Sequence, residues 1–146
     1  MFLGQFEHTI DEKGRITIPS EYREELGSSV YLTQGFDGNI QAYPSEMFKQ
    51  LLDLVKNTNF LDGNSRRLRR LLFANAKRLD FDSAGRILIP SFLRKQAGLN
   101  NVAIIAGSGA YFELWSPEQW HKQEEALNDI EANEQRFSAL DLSKLP

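Results

Sequence analysis

Arg15 and Arg86 each follow a turn glycine, Gly14 or Gly85, and each stands four residues after an aspartate, Asp11 or Asp82. A guanidinium projecting from the end of a rigid hairpin can bind O6 and N7 of guanine in a bidentate manner, or clamp a phosphate, and a β-ribbon reaches a groove in this way. The same spacing lets each arginine pair with its own aspartate instead. Two carboxylates also raise acid–base catalysis. An aspartate that opens a glycine-containing turn already has a backbone to hold, however, and beside a guanidinium it can orient that group through a charge-assisted bond. Spacing alone leaves both uses of the arginines open.

The turn is written twice in the chain. The run Asp11-Glu12-Lys13-Gly14-Arg15-Ile16-Thr17-Ile18-Pro19-Ser20 returns seventy-one positions later as Asp82-Ser83-Ala84-Gly85-Arg86-Ile87-Leu88-Ile89-Pro90-Ser91. The match continues through Arg23/Arg94 and Gly27/Gly98; after one inserted residue near Val102, Gly35 faces Gly107, and Tyr43 and Phe48 face Trp115 and Trp120. Whatever surface the turn presents is presented twice, about an approximate internal two-fold. Lys13 has no basic twin, because Ala84 stands in its place.

Other chemistries find little material. There is no cysteine, and the histidines, His8 and His121, form no ligand spacing, so no metal, cofactor or small-molecule substrate is expected and the chain does not read as an enzyme. No stretch approaches the roughly 18 apolar residues of a membrane span, and no export segment opens the chain, so a soluble cytoplasmic protein is expected. The net charge of −3 hides an uneven distribution. Residues 1–63 carry five Lys/Arg against ten Asp/Glu, residues 64–95 carry nine against two, and residues 96–146 carry three against eight. A basic middle permits a local anion-binding face on an acidic protein. Arg66, Arg67, Arg69 and Arg70 dominate that middle. They lie between the repeated turns, which favours a subunit interface or a secondary phosphate contact over base reading; Lys77 and Arg78 can add electrostatic attraction. The matched aromatics read as core packing.

The elements that must position these residues follow from pattern. Alternation at Phe6, His8 and Ile10, then at Ile16 and Ile18, predicts two strands of a hairpin around residues 11–14, with Gly14 supplying a positive backbone angle. Pro19 ends the pairing, Ser20 is expected to cap a helix over Glu21–Leu26, strands follow at Val30–Thr33 and Ile40–Tyr43, and Ser45 is expected to cap a helix to about Lys56. Asn64 or Ser65 should cap a basic linker helix from Arg66 to Phe73. The second repeat predicts strands at Ala76–Phe81, Arg86–Ile89, Val102–Ala106 and Tyr111–Trp115, a helix over Ser91–Ala97, and one long helix from Pro117 to Gln135, with the last ten residues frayed. The expected class is mainly β with short helices (α+β). Its organisation is a first module at 5–47, a helical linker at 48–75, a second module at 76–119 and a C-terminal helix and tail at 120–146. A unit of some 45 residues is too small to close a core alone, so the two should interleave strands.

The duplicated Asp-x-x-Gly-Arg-Ile-x-Ile-Pro-Ser unit, the opening Met1-Phe2-x-Gly4, the basic helix between repeats, and Glu113-Leu114-Trp115 followed by Trp120 together resemble the MraZ family of bacterial transcriptional regulators, built from two SpoVT-AbrB modules. The resemblance covers Met1 to about His121. It implies a double-split or swapped-hairpin AbrB-like β-barrel formed within one chain, and a homo-oligomeric ring. It implies a nucleoid-associated, sequence-specific regulator, read as a repressor, that binds double-stranded DNA at short GTG-rich direct repeats in the promoter of the division and cell-wall gene cluster, its own gene included. In that family the Asp-x-x-x-Arg signature touches DNA, which here falls on Asp11 and Arg15, and on Asp82 and Arg86, with Lys13 beside the first pair. An AbrB-like antitoxin, or another partner-binding protein using the stretch Trp120–Phe137, is the competing reading.

Overall fold

The computed structural model describes residues 1–141. Eight strands form two sheets: β1 (Gln5–Thr9), β2 (Arg15–Thr17), β3 (Ser29–Gln34), β4 (Ile40–Tyr43), β5 (Lys77–Asp80), β6 (Arg86–Leu88), β7 (Val102–Gly107) and β8 (Phe112–Trp115). The larger sheet is antiparallel throughout, in the order β1-β7-β8-β4-β3-β5, and β2 pairs with β6 in a separate two-stranded sheet. The class is thus α+β, with antiparallel sheet and short helices.

The strand order is unchanged when the two repeats are exchanged. β1 crosses to β7 of the second repeat and β5 crosses back to β3 of the first, while β4 pairs with its own counterpart β8 and β2 with its counterpart β6. Interleaving therefore follows from need: a half-sheet that cannot cover its apolar face is completed by strands of the other half. The expected hairpin is corrected in one respect. Asp11–Arg15 and Ile10–Ile16 close the turn by single bridges, but the ladders of β1 and β2 run with β7 and β6 rather than with each other.

The core lies between the two sheets. Ile16, Ile18, Ile87 and Ile89 around the small sheet are buried together with Val30, Leu32, Ile40, Ile105 and Leu114 of the large one. Alternation on β2 and β6 puts the isoleucines inward and leaves Arg15, Thr17, Arg86 and Leu88 on the outer face. Tyr22, edge-on to Phe2 at 5.1 Å, donates its hydroxyl to Leu3 O at 2.6 Å and ties the N-terminus down.

Helix α1 (Ser20–Leu26), α2 (Ser45–Lys56) and α4 (Ser91–Gln96) each begin directly after a proline. Here the expected caps fail. Pro19 and Pro44 hold the extended capping torsions, with ψ of 138° and 154°, so Ser20 and Ser45 are already helical and make no capping bond. The linker helix α3 (Gly63–Arg69) is capped by Asp62, which accepts from Asn64 N, rather than by Asn64 or Ser65, and it runs on into one π-helical turn, Arg70–Ala74. Ser65 is buried and bonds Thr58 instead. The long C-terminal helix is two: α5 (Pro117–Leu127) and α6 (Ile130–Ser138), broken where Asp129 turns to cap the second by accepting from Ala132 N. Fraying was expected over the last ten residues, yet Phe137 and Ser138 are helical; residues 142–146 of that stretch lie outside the described residues.

Candidate nucleic-acid interface

Each motif aspartate holds its turn by three bonds. Asp11 Oδ1 accepts from Lys13 N at 3.0 Å and from Arg15 N at 2.9 Å, and Oδ2 accepts from Arg15 Nε at 2.6 Å. Asp82 repeats this, accepting from Ala84 N and Arg86 N at 2.9 Å and from Arg86 Nε at 2.9 Å. The backbone N–H of Arg15, followed by its guanidinium, holds the Asp11 carboxyl below the ordinary value of 3.8, and Arg86 does the same for Asp82. Both aspartates are therefore carboxylates near neutral pH, with their lone pairs directed at the turn.

The arginines pair with their aspartates and still face outward. Only Nε is taken up in Arg15, so both Nη nitrogens remain without a partner among the described residues. Arg86 adds a longer contact, Nη1 to Asp11 Oδ2 at 3.9 Å, which joins the two turns. Neither side chain stands free at a hairpin tip. About a third of each is exposed, 32% for Arg15 and 33% for Arg86, and the pairing fixes the plane of each fork.

The small sheet sets the two turns back to back. Arg15 lies opposite Leu88 and Thr17 opposite Arg86. Each glycine carbonyl is then engaged by the other repeat: Ile18 N donates to Gly85 O at 3.1 Å, and Ile89 N to Gly14 O at 3.0 Å. Gly14 and Gly85 take φ of +90° and +74°, as the turn chemistry requires.

A further pair escaped the sequence reading as site residues. Arg23 on α1 donates from Nε to Ile18 O at 3.0 Å and lays its guanidinium over Gly85; Arg94 on α4 donates to Ile89 O at 3.1 Å and covers Gly14. A Cβ on Gly14 would stand 2.6 Å from Arg94 Cζ, and one on Gly85 2.5 Å from Arg23 Cζ. Each turn is thus roofed by an arginine of the opposite repeat. The signal was present, since Arg23 and Arg94 match across the duplication, but no local pattern says that they cross over.

The basic linker does different work. Arg66 Nη1 donates to Phe60 O and Leu61 O at 3.0 and 3.1 Å, Arg69 Nη2 donates to Thr58 O at 3.0 Å, and Arg67 Nη1 to Asn64 Oδ1 at 3.0 Å. Arg66 and Arg69 bind the α2–α3 connection, while Arg70 is exposed. The matched aromatics pack: Tyr43 lies 6.1 Å from Phe48 and Trp115 5.7 Å from Trp120, with Tyr43 and Trp115 buried.

The duplication extends to the comparison with known proteins. The family described as "MraZ protein, putative antitoxin-like" matches residues 1–71 and again residues 72–141. The chain is 43% identical over 127 residues to the transcriptional regulator MraZ of Thermomicrobium roseum, covering 87% of this chain and 89% of that one. It is 42% identical to the protein of the same name from Herpetosiphon aurantiacus, over 82% and 84% of the two chains. It is 40% identical to that of Roseiflexus castenholzii, over 94% of each.

Proposed function

The chain belongs to the MraZ family, and from that premise we propose that it is a sequence-specific DNA-binding transcriptional regulator. One observation carries the reading: the Asp–Arg turn occurs twice, back to back on one small sheet, each time with a guanidinium oriented by its aspartate and with Nη nitrogens still available. Arg15 and Arg86 read guanines, Asp11 and Asp82 aim them, Gly14 and Gly85 shape the turns, and Lys13 adds a contact at the first. The cross-repeat strand pairing supports the swapped-hairpin AbrB-like barrel, with modules at 5–47 and 76–119, the linker at 48–75 and the C-terminal region at 120–146. The target is a set of short GTG-rich direct repeats before the division and cell-wall gene cluster, on which the protein acts as a repressor, its own gene included. It works in the cytoplasm on nucleoid DNA, without catalysis or cofactor.

Affinity comes from number. One turn offers few contacts, so a homo-oligomeric ring that places several turns on successive repeats multiplies weak binding through effective concentration. Arg67 and Arg70, on the linker, serve either the subunit contact or a secondary phosphate. A gel shift with tandem GTG-repeat duplex, a single repeat and a scrambled duplex tests the reading. Tandem DNA is bound far more tightly than either control, and equal affinity for all three refutes it.

The partner-binding alternative has one feature in its favour. The acidic segment α5–α6 leaves Ile130 75% and Phe137 46% exposed. A chain ended at Asn128 that still represses its own promoter removes that alternative.

A further inference from the structure

The surroundings of the two turns differ. Beside the first lies an open cleft of about 370 Å³ into which three elements bring a cation each: Lys13 from the turn, Lys77 from β5 and Arg94 from α4. Leu79, Leu88 and Ile89 also line it. Among the described residues, none of these three cations is in an ion pair. The Lys13 and Lys77 ammonium groups make no hydrogen bond there either, while Arg94 uses Nε on Ile89 O. Like charges gathered in one cleft repel one another, and the fold draws nothing from the two lysine head groups in return. An anion relieves that repulsion.

The apolar lining narrows the choice of anion. Leu88 is 54% exposed beside the cleft, where a small hydrated ion such as free phosphate gains nothing from it. A nucleic-acid strand offers both kinds of group at once, a phosphodiester for the cations and the carbon face of a deoxyribose for the leucines. Place argues the same way, because Lys13 belongs to the turn of Arg15, and Arg94 roofs its glycine.

We propose that the Lys13–Lys77–Arg94 cleft is a backbone-phosphate site for the bound duplex, present at the first turn and not at the second. Seventy-one positions away in the repeat, Lys13 is matched by Ala84, Lys77 by Phe6 and Leu88 by Thr17, and of the three cations only Arg94 keeps a counterpart, Arg23. The two turns then take up the duplex unequally: the first holds backbone and base, the second base alone. This site rests on the DNA-binding reading above and adds a polarity to it.

The experiment is a salt titration of DNA affinity for the full chain and its Lys13→Gln/Lys77→Gln variant, on tandem-repeat and scrambled duplexes. Arg94 is left intact because it also supports a turn. Loss of one phosphate contact lowers the slope of log affinity against log salt by about 0.9 for each first turn engaged, while second turns contribute no change. Both duplexes weaken by the same factor, so the preference for repeats is unchanged, and the melting temperature holds. Lys13→Arg/Lys77→Arg keeps the charge and restores the slope. An unchanged slope with wild-type affinity overturns the site, as does a loss confined to the repeat duplex, which would mean base reading. Wild-type protein that binds neither duplex refutes the DNA-binding reading itself, and the cleft with it.

Discussion

The first and second turns share a backbone and differ in what surrounds it. The two sets of aspartate bonds to turn N–H groups agree to 0.1 Å, and the glycine carbonyls are gripped across the repeats at 3.1 and 3.0 Å. Around that frame, Lys13 of the first repeat is replaced by Ala84 in the second and Thr17 by Leu88, and Arg86 but not Arg15 reaches toward the other turn's aspartate. Geometry that holds a guanidinium in place is written twice. The charge beside that frame is written once, since Lys13 and Lys77 are matched by Ala84 and Phe6.

The harshest way to break the comparison is at the glycines. Gly14→Val puts a β-branched residue at φ +90° and drives its Cβ into Arg94, so the turn and its roof are lost together. The expected cost is at least about 2–3 kcal/mol of stability, from backbone strain and lost packing, with DNA binding falling in step. Gly85→Val meets Arg23 in the same manner and should lower the melting temperature about equally. A difference of several degrees between the two would show that the halves do not share one frame.

Arginine substitutions sharpen it. Arg15→Ala leaves Asp11 its backbone donors, and a solvent-screened ion pair contributes little to the fold, so the melting temperature should change little. Affinity for repeat DNA should drop by about 1–3 kcal/mol per engaged turn. Arg86→Ala removes contacts to both aspartates and should destabilise the fold slightly more than Arg15→Ala. Melting curves and binding isotherms for the two variants side by side decide this, and wild-type affinity in Arg15→Ala would make that arginine structural.

Away from the turns, Arg69→Ala frees the Thr58 carbonyl and uncovers Phe60, over whose ring the guanidinium sits at 5.9 Å. A loss of about 1 kcal/mol with unchanged base preference is expected, read by chemical denaturation and by selection from randomised DNA. Altered base preference would bring the linker into the reading surface.

The smallest effect is with pH. Asp11 and Asp82 have folded pKa values below the unfolded value of 3.8, so their stabilising bonds are fully present above that value and are lost as pH falls through the lower, folded ones. Two titrations, both below 3.8, should appear in carboxyl NMR. Protonation of either aspartate at a pH above that would show its turn to be loosely held.

Local chemistry was legible where a few adjacent residues decide the outcome. Asp11 and Gly14 specify their turn wherever they stand, and the self-pairing of Arg15 was visible as one of its two uses. Helix starts were misjudged where serine follows proline: Pro44 takes the capping torsions ahead of Ser45, whereas in the matched segment the order is reversed, and Ser116 before Pro117 does cap, accepting from Gln119 N at 3.2 Å. The break at Asn128 was hidden because residues 117–135 suit a helix throughout, and only the Asp129 cap divides them. That Arg94 covers Gly14 depends on two segments eighty residues apart in the sequence, and no window of sequence contains both.

The crossing of β1 to β7 and of β5 to β3 also bears on synthesis. A chain emerging from the ribosome presents Gln5–Thr9 nearly a hundred residues before Val102–Gly107 exists to pair with it, and Phe2 waits for Gly109. Until then the first repeat is an open edge over a half-built core, the kind of nascent segment that chaperones bind and proteases cut. Nascent chains halted before β7 should therefore be protease-sensitive, and resistance should arrive in one step once Trp115 has cleared the exit tunnel, because β8, the last strand to be made, joins the β1–β7 pair to β4, β3 and β5.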